Sequence, residues 1–253
     1  MITLTYDNHL ATIALARADK RNAMTPAMIT ELSRAIDQVS RDAGASQPKA
    51  NALVLTGEGD TFCAGFDLTL CKDDTTALES LLTGLSHCIR ALRACPLPVV
   101  ISAHGAAIAG GCALLGGGDI VITNDAAKIG YPVVRLGISP AVSAPTLMLA
   151  AGSGPARTRL LDTALVSGID AVRIGIAHES LPSRTTCEER AIQIARDLAA
   201  KPRHGVTATK RWLNEVDGSD NTERLQTALR ASLALVNGPE ERELLPQVWA
   251  KRP

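Results

Sequence analysis

Two glycine-rich loops, each entered from a buried apolar strand, constrain this chain more than any other feature. One is LVLTGEGDTFCAGFDL at residues 53–68 and the other is VVISAHGAAIAGGCALLGGG at 99–118. Glycine at such a turn lets the backbone bend sharply and leave N–H groups unshielded. Two such loops side by side can aim two N–H groups at one oxygen, the arrangement of an oxyanion hole. Gly110-Gly111 also opens a helix, whose dipole favours negative charge at that end. The alternative is that these glycines serve only as turns and close-packing points. The chain has no GxxxxGK[ST], no GxGxxG after a strand and no GxSxG nucleophile elbow.

The remaining pattern predicts an α/β protein. Ile2–Tyr6 and Leu10–Leu15 read as a hairpin around Asp7-Asn8-His9, and Thr25-Pro26 reads as a helix start followed by Met28, Leu32, Ile36 and Val39. Ala52–Thr56, Val99–Ala103 and Ile120–Thr123 are apolar, strand-like runs, and Leu78–Leu92 is an amphipathic helix between two of them. Strands near residues 12, 54, 100 and 121 alternating with helices imply buried, partly parallel strands. Beyond about residue 143 the sequence predicts helices at Ser143–Ala151, Pro155–Leu161, Asp170–Gly175, Glu188–Ala200, Thr207–Glu215 and Thr222–Leu235, with no further strand-rich run. The segment from about residue 200 reads as a helical unit for a neighbouring subunit.

Charge and composition exclude several function classes. Lys plus Arg and Asp plus Glu are each 26, a formal net charge of zero, which argues against a nucleic-acid binder. Only 2% of the chain is aromatic (Tyr6, Phe62, Phe66, Tyr131, Trp212, Trp249), which leaves little for base stacking. The six cysteines form no CxxC pair and no zinc-spaced cluster, so they read as reduced thiols and no metal site is expected. No run reaches the roughly 18 apolar residues of a membrane span. The start, MITLTYDNHLATIAL, lacks a signal-peptide pattern. The expected location is the cytoplasm.

ARADKRNAMTPAMITEL at 16–32, ALVLTGEGDTFCAGFDL at 52–68 and PVVISAHGAAIAGGCALLGGGDIVIT at 98–123 resemble the enoyl-CoA hydratase/isomerase (crotonase) superfamily, as do AKIGYPVVRLGISPA at 127–141, GPAR at 154–157 and KRP at 251–253. The resemblance implies a stacked ββα superhelix core at 1–199. It implies a C-terminal helical oligomerisation region at 200–253 and a homotrimer or dimer of trimers. It implies an acyl-CoA thioester as ligand, with coenzyme A as part of the substrate and no separate cofactor. It assigns the oxyanion N–H groups to Phe66 and Gly110. It lines the coenzyme A pocket with Ala64, Phe66, Asp67 and Leu68, and makes Lys20, Arg21 and Lys251 candidates for the phosphates, with Lys72 the lysine nearest to Thr69.

The family's acid/base positions carry other residues here. Its two glutamates fall on Ala113 and Val133, and a third acid used by some members falls on Ala141. Hydration needs a base to activate water and an acid to protonate carbon, which a methyl or isopropyl group cannot supply. His87 on the Leu78–Leu92 helix and Tyr131 are the substitute candidates, each with packing or exposure as the alternative. His104 reads as loop support. Asp73, Asp74 and Glu79 read as a solvated loop, Cys71 and Cys112 as inert thiols, and Asp60, Arg135 and Arg157 as loop and surface pairs. The same features fit an acyl-CoA enzyme of non-hydratase chemistry, a non-catalytic acyl-CoA binder, or a structural subunit of a mixed oligomer.

Overall fold

The structure is a computed structural model and describes residues 1–247. The chain begins with β1 (Ile2–Asp7) and β2 (Leu10–Leu15). They form an antiparallel hairpin whose turn residues Asn8 and His9 both have positive φ, the backbone a two-residue turn requires. Helix α1 (Pro26–Ala43) starts where the sequence predicts, with the Thr25 side chain accepting from Met28 N and Pro26 at the first position. Then come β3 (Ala52–Gly57), α2 (Ala77–Ala94), β4 (Val99–Ala103), β5 (Ala106–Ile108), α3 (Gly110–Leu115), β6 (Ile120–Asn124) and β7 (Lys128–Gly130). The chain continues through α4 (Ala144–Ala151), α5 (Ser153–Leu161), α6 (Gly168–Arg173), β8 (Glu179–Leu181), α7 (Arg184–Ala199), α8 (Arg203–Asp217), α9 (Thr222–Leu233) and α10 (Pro239–Leu244).

Six strands form one sheet in the order β1-β2-β3-β4-β6-β8, parallel except for the hairpin, and β5 and β7 form a separate parallel pair. Alternation along the strands explains why both faces are covered. Ile13, Leu15, Leu53, Leu55, Val99 and Ile101 join the large core with α1, α2 and α3. Leu10, Ala52, Val54, Val100 and Ile122 point the other way, onto Cys187, Ala191 and Ala195 of α7. A parallel sheet buried on both faces is why these strands read as unbroken apolar runs.

Three strands depart from the sequence expectation. β8 lies beyond residue 143, where no strand-rich run is expected, β5 falls inside the second glycine-rich loop, and β7 falls in a stretch for which no element is expected. Each is three residues long and takes its conformation from a neighbour rather than from its own composition. Helix α7 starts at Arg184, four residues earlier than expected, because Ser183 and Thr186 form a reciprocal capping box. Likewise, α6 starts at Gly168, after Ser167 as N-cap, and α8 at Arg203, after Pro202.

Helix α8 is fastened to the sheet by a buried charge. Lys210 Nζ lies 2.7 Å from Asp119 Oδ2, 2.9 Å from Leu97 O and 3.3 Å from Leu92 O. Asp119 Oδ2 also accepts from Val99 N at 2.7 Å. Among the described residues no helix is long and apolar enough to cross a membrane.

Candidate active site

The two glycine-rich loops meet at one place because main-chain bonds zip them together. Phe62 N donates to His104 O at 2.9 Å, Cys63 N to Ala106 O at 3.0 Å, and Ile108 N to Cys63 O at 3.0 Å. On its other edge the first loop pairs with residues 21–24: Ala64 N donates to Arg21 O (3.0 Å), Met24 N to Gly65 O (2.8 Å) and Asp67 N to Met24 O (2.9 Å). This pairing leaves Phe66 N–H out. Gly110 N–H, at the first turn of α3, is left out in the same way, since its neighbour Ala109 N donates to Gly130 O and Ala113 N returns to Ala109 O. Among the described residues neither N–H is given to a backbone acceptor.

Both residues line one cavity of about 330 Å³. Gly65 has φ +99°, and a Cβ there would lie 3.0 Å from Ile108 O and 3.8 Å from Gly110 N, so the loops are nearly in contact. Gly111 is required by proximity: its Cβ would sit 2.4 Å from Cys63 O. Ala109 adopts φ 52°, ψ −112°, a backbone that L-residues rarely adopt, immediately before the Gly110 donor.

The loops rest on Asn22 and Arg17, which the sequence reading did not single out, and on Asp67 and His104, which it did. Asn22 is fully buried; its side chain accepts from Arg17 N at 2.9 Å and donates to Glu58 O (2.8 Å) and Thr61 O (2.7 Å). The available signal was a polar residue in an exposed-looking KRNAM loop, which is weak. Arg17 Nη1 binds Asp67 Oδ2 at 2.8 Å and Ala23 O at 2.9 Å. Burial works against ionisation of Asp67, but the Thr69 hydroxyl and Arg17 outweigh it and hold the carboxyl below its ordinary value. His104 is buried, with Nε2 3.1 Å from Gly59 O and Nδ1 3.6 Å from Glu188 Oε1. That is the loop-supporting position expected of it.

The cavity brings together most of the candidate residues. Lys20, Arg21, Ala64, Asp67 and Leu68 line it with Phe66 and Gly110. Ala113, 1% exposed, and Val133 lie in its wall, as do Tyr131, Ser139 and Ser143. Ala141 does not line it, although Pro140 and Val142 on either side do. Lys251 lies outside the described residues. Arg135, expected in a loop or surface pair, is exposed as expected but has no salt bridge among the described residues and lines the cavity instead.

His87 is the clearest correction. Leu82 and Leu85 of α2 face the cavity, whereas His87 is exposed in a groove with Asp37, Arg90 and Asp220. Two residues along a helix is a rotation of about 200°, so His87 shares no face with Leu85. Cys71 and Cys112 do not line the cavity, and burial pushes their thiols up to about 11 and about 12. Burial, followed by the neighbouring Cys112 thiol, raises the Tyr131 phenol well above its ordinary value, so its hydroxyl stays protonated. Among the described residues no three His, Cys, Asp or Glu side chains are grouped to hold a metal ion. The cavity therefore offers two main-chain donors, a cationic rim, one carboxylate (Asp67) already paired with Arg17, and an otherwise largely apolar wall.

Residues 5–240 match the family model described as "Enoyl-CoA hydratase/isomerase". A protein of Mycobacterium tuberculosis (strain H37Rv) described as probable enoyl-CoA hydratase EchA14 is 32% identical, over 99% of this chain and 95% of its own. The 1,2-epoxyphenylacetyl-CoA isomerase of Escherichia coli K12 is 31% identical over 81% of this chain and 79% of its own. The crystal structure of an enoyl-CoA hydratase/isomerase from Mycobacterium paratuberculosis superimposes with a TM-score of 0.87 at 26% identity, covering 97% of each chain.

Proposed function

The chain belongs to the enoyl-CoA hydratase/isomerase family, and from that premise we propose that it binds an acyl-CoA thioester and stabilises its enolate without a protein carboxylate. The observation that carries this reading is one cavity holding the free Phe66 and Gly110 N–H groups alongside Ala113 and Val133. The thioester oxygen accepts from the two N–H groups. Lys20, Arg21 and Arg135 supply positive charge for the coenzyme A phosphates, and coenzyme A enters as part of the substrate, with no separate cofactor. The active form is a cytoplasmic homotrimer or dimer of trimers.

Decarboxylation asks least of such a cavity. In an α-carboxylated acyl-CoA the bond from the α-carbon to the carboxylate breaks and carbon dioxide leaves. The electron pair passes to the thioester as an enolate whose oxygen sits between the two donors, each such donor being worth roughly 10²–10³ in rate. The α-carbon is then protonated by water or by the Tyr131 hydroxyl, with a proton from solvent replacing it. Isomerisation and thioester hydrolysis remain within the same family chemistry but need a base, which the wall does not offer. The same lack of a base favours, as the second reading, a non-catalytic acyl-CoA binder.

Native mass spectrometry of the protein with a panel of acyl-CoA thioesters tests this. Retained thioester with loss of carbon dioxide from an α-carboxylated member is the expected result. Retention without any mass change leaves the binder or a mass-neutral isomerase and overturns decarboxylation. Addition of water to an enoyl-CoA overturns the reading of Ala113 and Val133, and absence of any retained thioester overturns the acyl-CoA assignment itself.

A further inference from the structure

Behind the cavity lies a second one of about 170 Å³, and Tyr131 lines both. Its side chain is buried at 3% exposure. Its hydroxyl faces two neighbours, Ser143, which lines the first cavity, and Cys112, which lines the second. The second cavity is lined partly by the buried apolar side chains Leu115, Val121, Leu147 and Ile176 and partly by polar and charged ones, among them Arg93, Asp119, His178 and Asp217. The ring is also held at a fixed place relative to the oxyanion donors. The residue before it, Gly130, accepts from Ala109 N at 2.8 Å, and Ala109 immediately precedes Gly110. Tyr131 O in turn accepts from Val133 N at 2.8 Å.

We propose that the Tyr131 ring is the partition between the two cavities and so sets the longest acyl chain the protein accepts. The proposal rests on the acyl-CoA reading above. With the thioester oxygen at Phe66 and Gly110, an extending acyl chain runs along Leu82, Leu85 and Ala113 until it meets the ring. Removing the ring joins the first cavity to the second, where Leu115, Val121, Leu147 and Ile176 offer apolar contacts to further methylene groups.

The test is calorimetric titration of the full protein with saturated acyl-CoA thioesters from acetyl to palmitoyl. Each methylene that is buried tightens binding about fourfold, so affinity climbs with chain length and then stops where the chain meets the ring. In Tyr131→Leu and Tyr131→Ala the climb continues past the wild-type stopping point. In Tyr131→Phe, which keeps the ring, the stopping point stays where it is even if overall affinity changes. If the alanine variant does not fold, the leucine variant, which keeps more of the buried volume, decides. An unchanged stopping point in Tyr131→Leu, or an extended one in Tyr131→Phe, overturns the partition while leaving the acyl-CoA reading standing. Failure of the wild-type protein to bind any member of the series overturns both.

Discussion

At the floor of the cavity Phe66 and Gly110 present main-chain N–H groups, whereas in its wall Ala113, Val133 and Tyr131 present side chains. The floor is held by many bonds spread over Arg17, Asn22, Cys63, His104 and Ala109. The wall carries its side-chain chemistry one residue at a time, at Ala113, Val133 and Tyr131. On the function proposed above, this difference would let a chain keep the two N–H donors while carrying alanine and valine at positions 113 and 133: the first is built into packing, the second is not.

The comparison can be broken most directly by rebuilding the wall. Ala113→Glu combined with Val133→Glu is expected to raise hydration of a short enoyl-CoA by about 10²–10⁴-fold over the parent, the usual reach of general acid–base catalysis. A spectrophotometric hydration assay reads this, and no gain would mean that the wall is not what separates this protein from a hydratase. The next largest effect belongs to the floor. Asn22→Ala leaves Arg17 N, Glu58 O and Thr61 O without their partner, at about 1–3 kcal/mol per buried group. Urea unfolding should therefore show a loss of roughly 3 kcal/mol or more; a loss below about 1 kcal/mol would mean the floor is not held at this point.

Gly111→Ala presses a methyl group 2.4 Å from Cys63 O, and overpacking of this kind costs about 1–3 kcal/mol. A melting temperature equal to wild type would show that the two loops are looser than the close approach implies.

The smallest effect is a pH slope. Burial lowers the His104 pKa from its ordinary 6.5, against the raising influence of Glu188, with Arg184 also lowering it and Asp60 raising it. Folding thus favours the neutral ring. Its contribution is full above about pH 6.5 and erodes as pH falls below that toward the depressed value. Stability of the wild type measured between neutral and mildly acid pH should fall more steeply than that of His104→Gln. Parallel curves would remove His104 from the floor's supports.

Strands β2, β3, β4 and β6 were legible because each is a five- or six-residue apolar run. The three-residue strands were not, because so short a segment becomes a strand only when a longer neighbour offers its edge. The floor of the site was legible for a related reason: Gly65 and Gly110-Gly111 sit at strand exits, and glycine there has few other uses. His87 was misplaced because its sequence neighbours are apolar, although sequence neighbours on a helix do not share a face. Asn22 was missed since its meaning lies in Glu58 and Thr61, which the fold brings to it from farther along the chain.

That distance has a consequence in time. Asp119 of the buried ion pair is made about 90 residues before Lys210, its partner on α8. At synthesis rates of about 5–20 residues per second, the aspartate waits roughly 5 to 18 seconds for the lysine that neutralises it. Through that interval Asp119 can already accept from Val99 N, but its carboxylate has no counter-charge from α8.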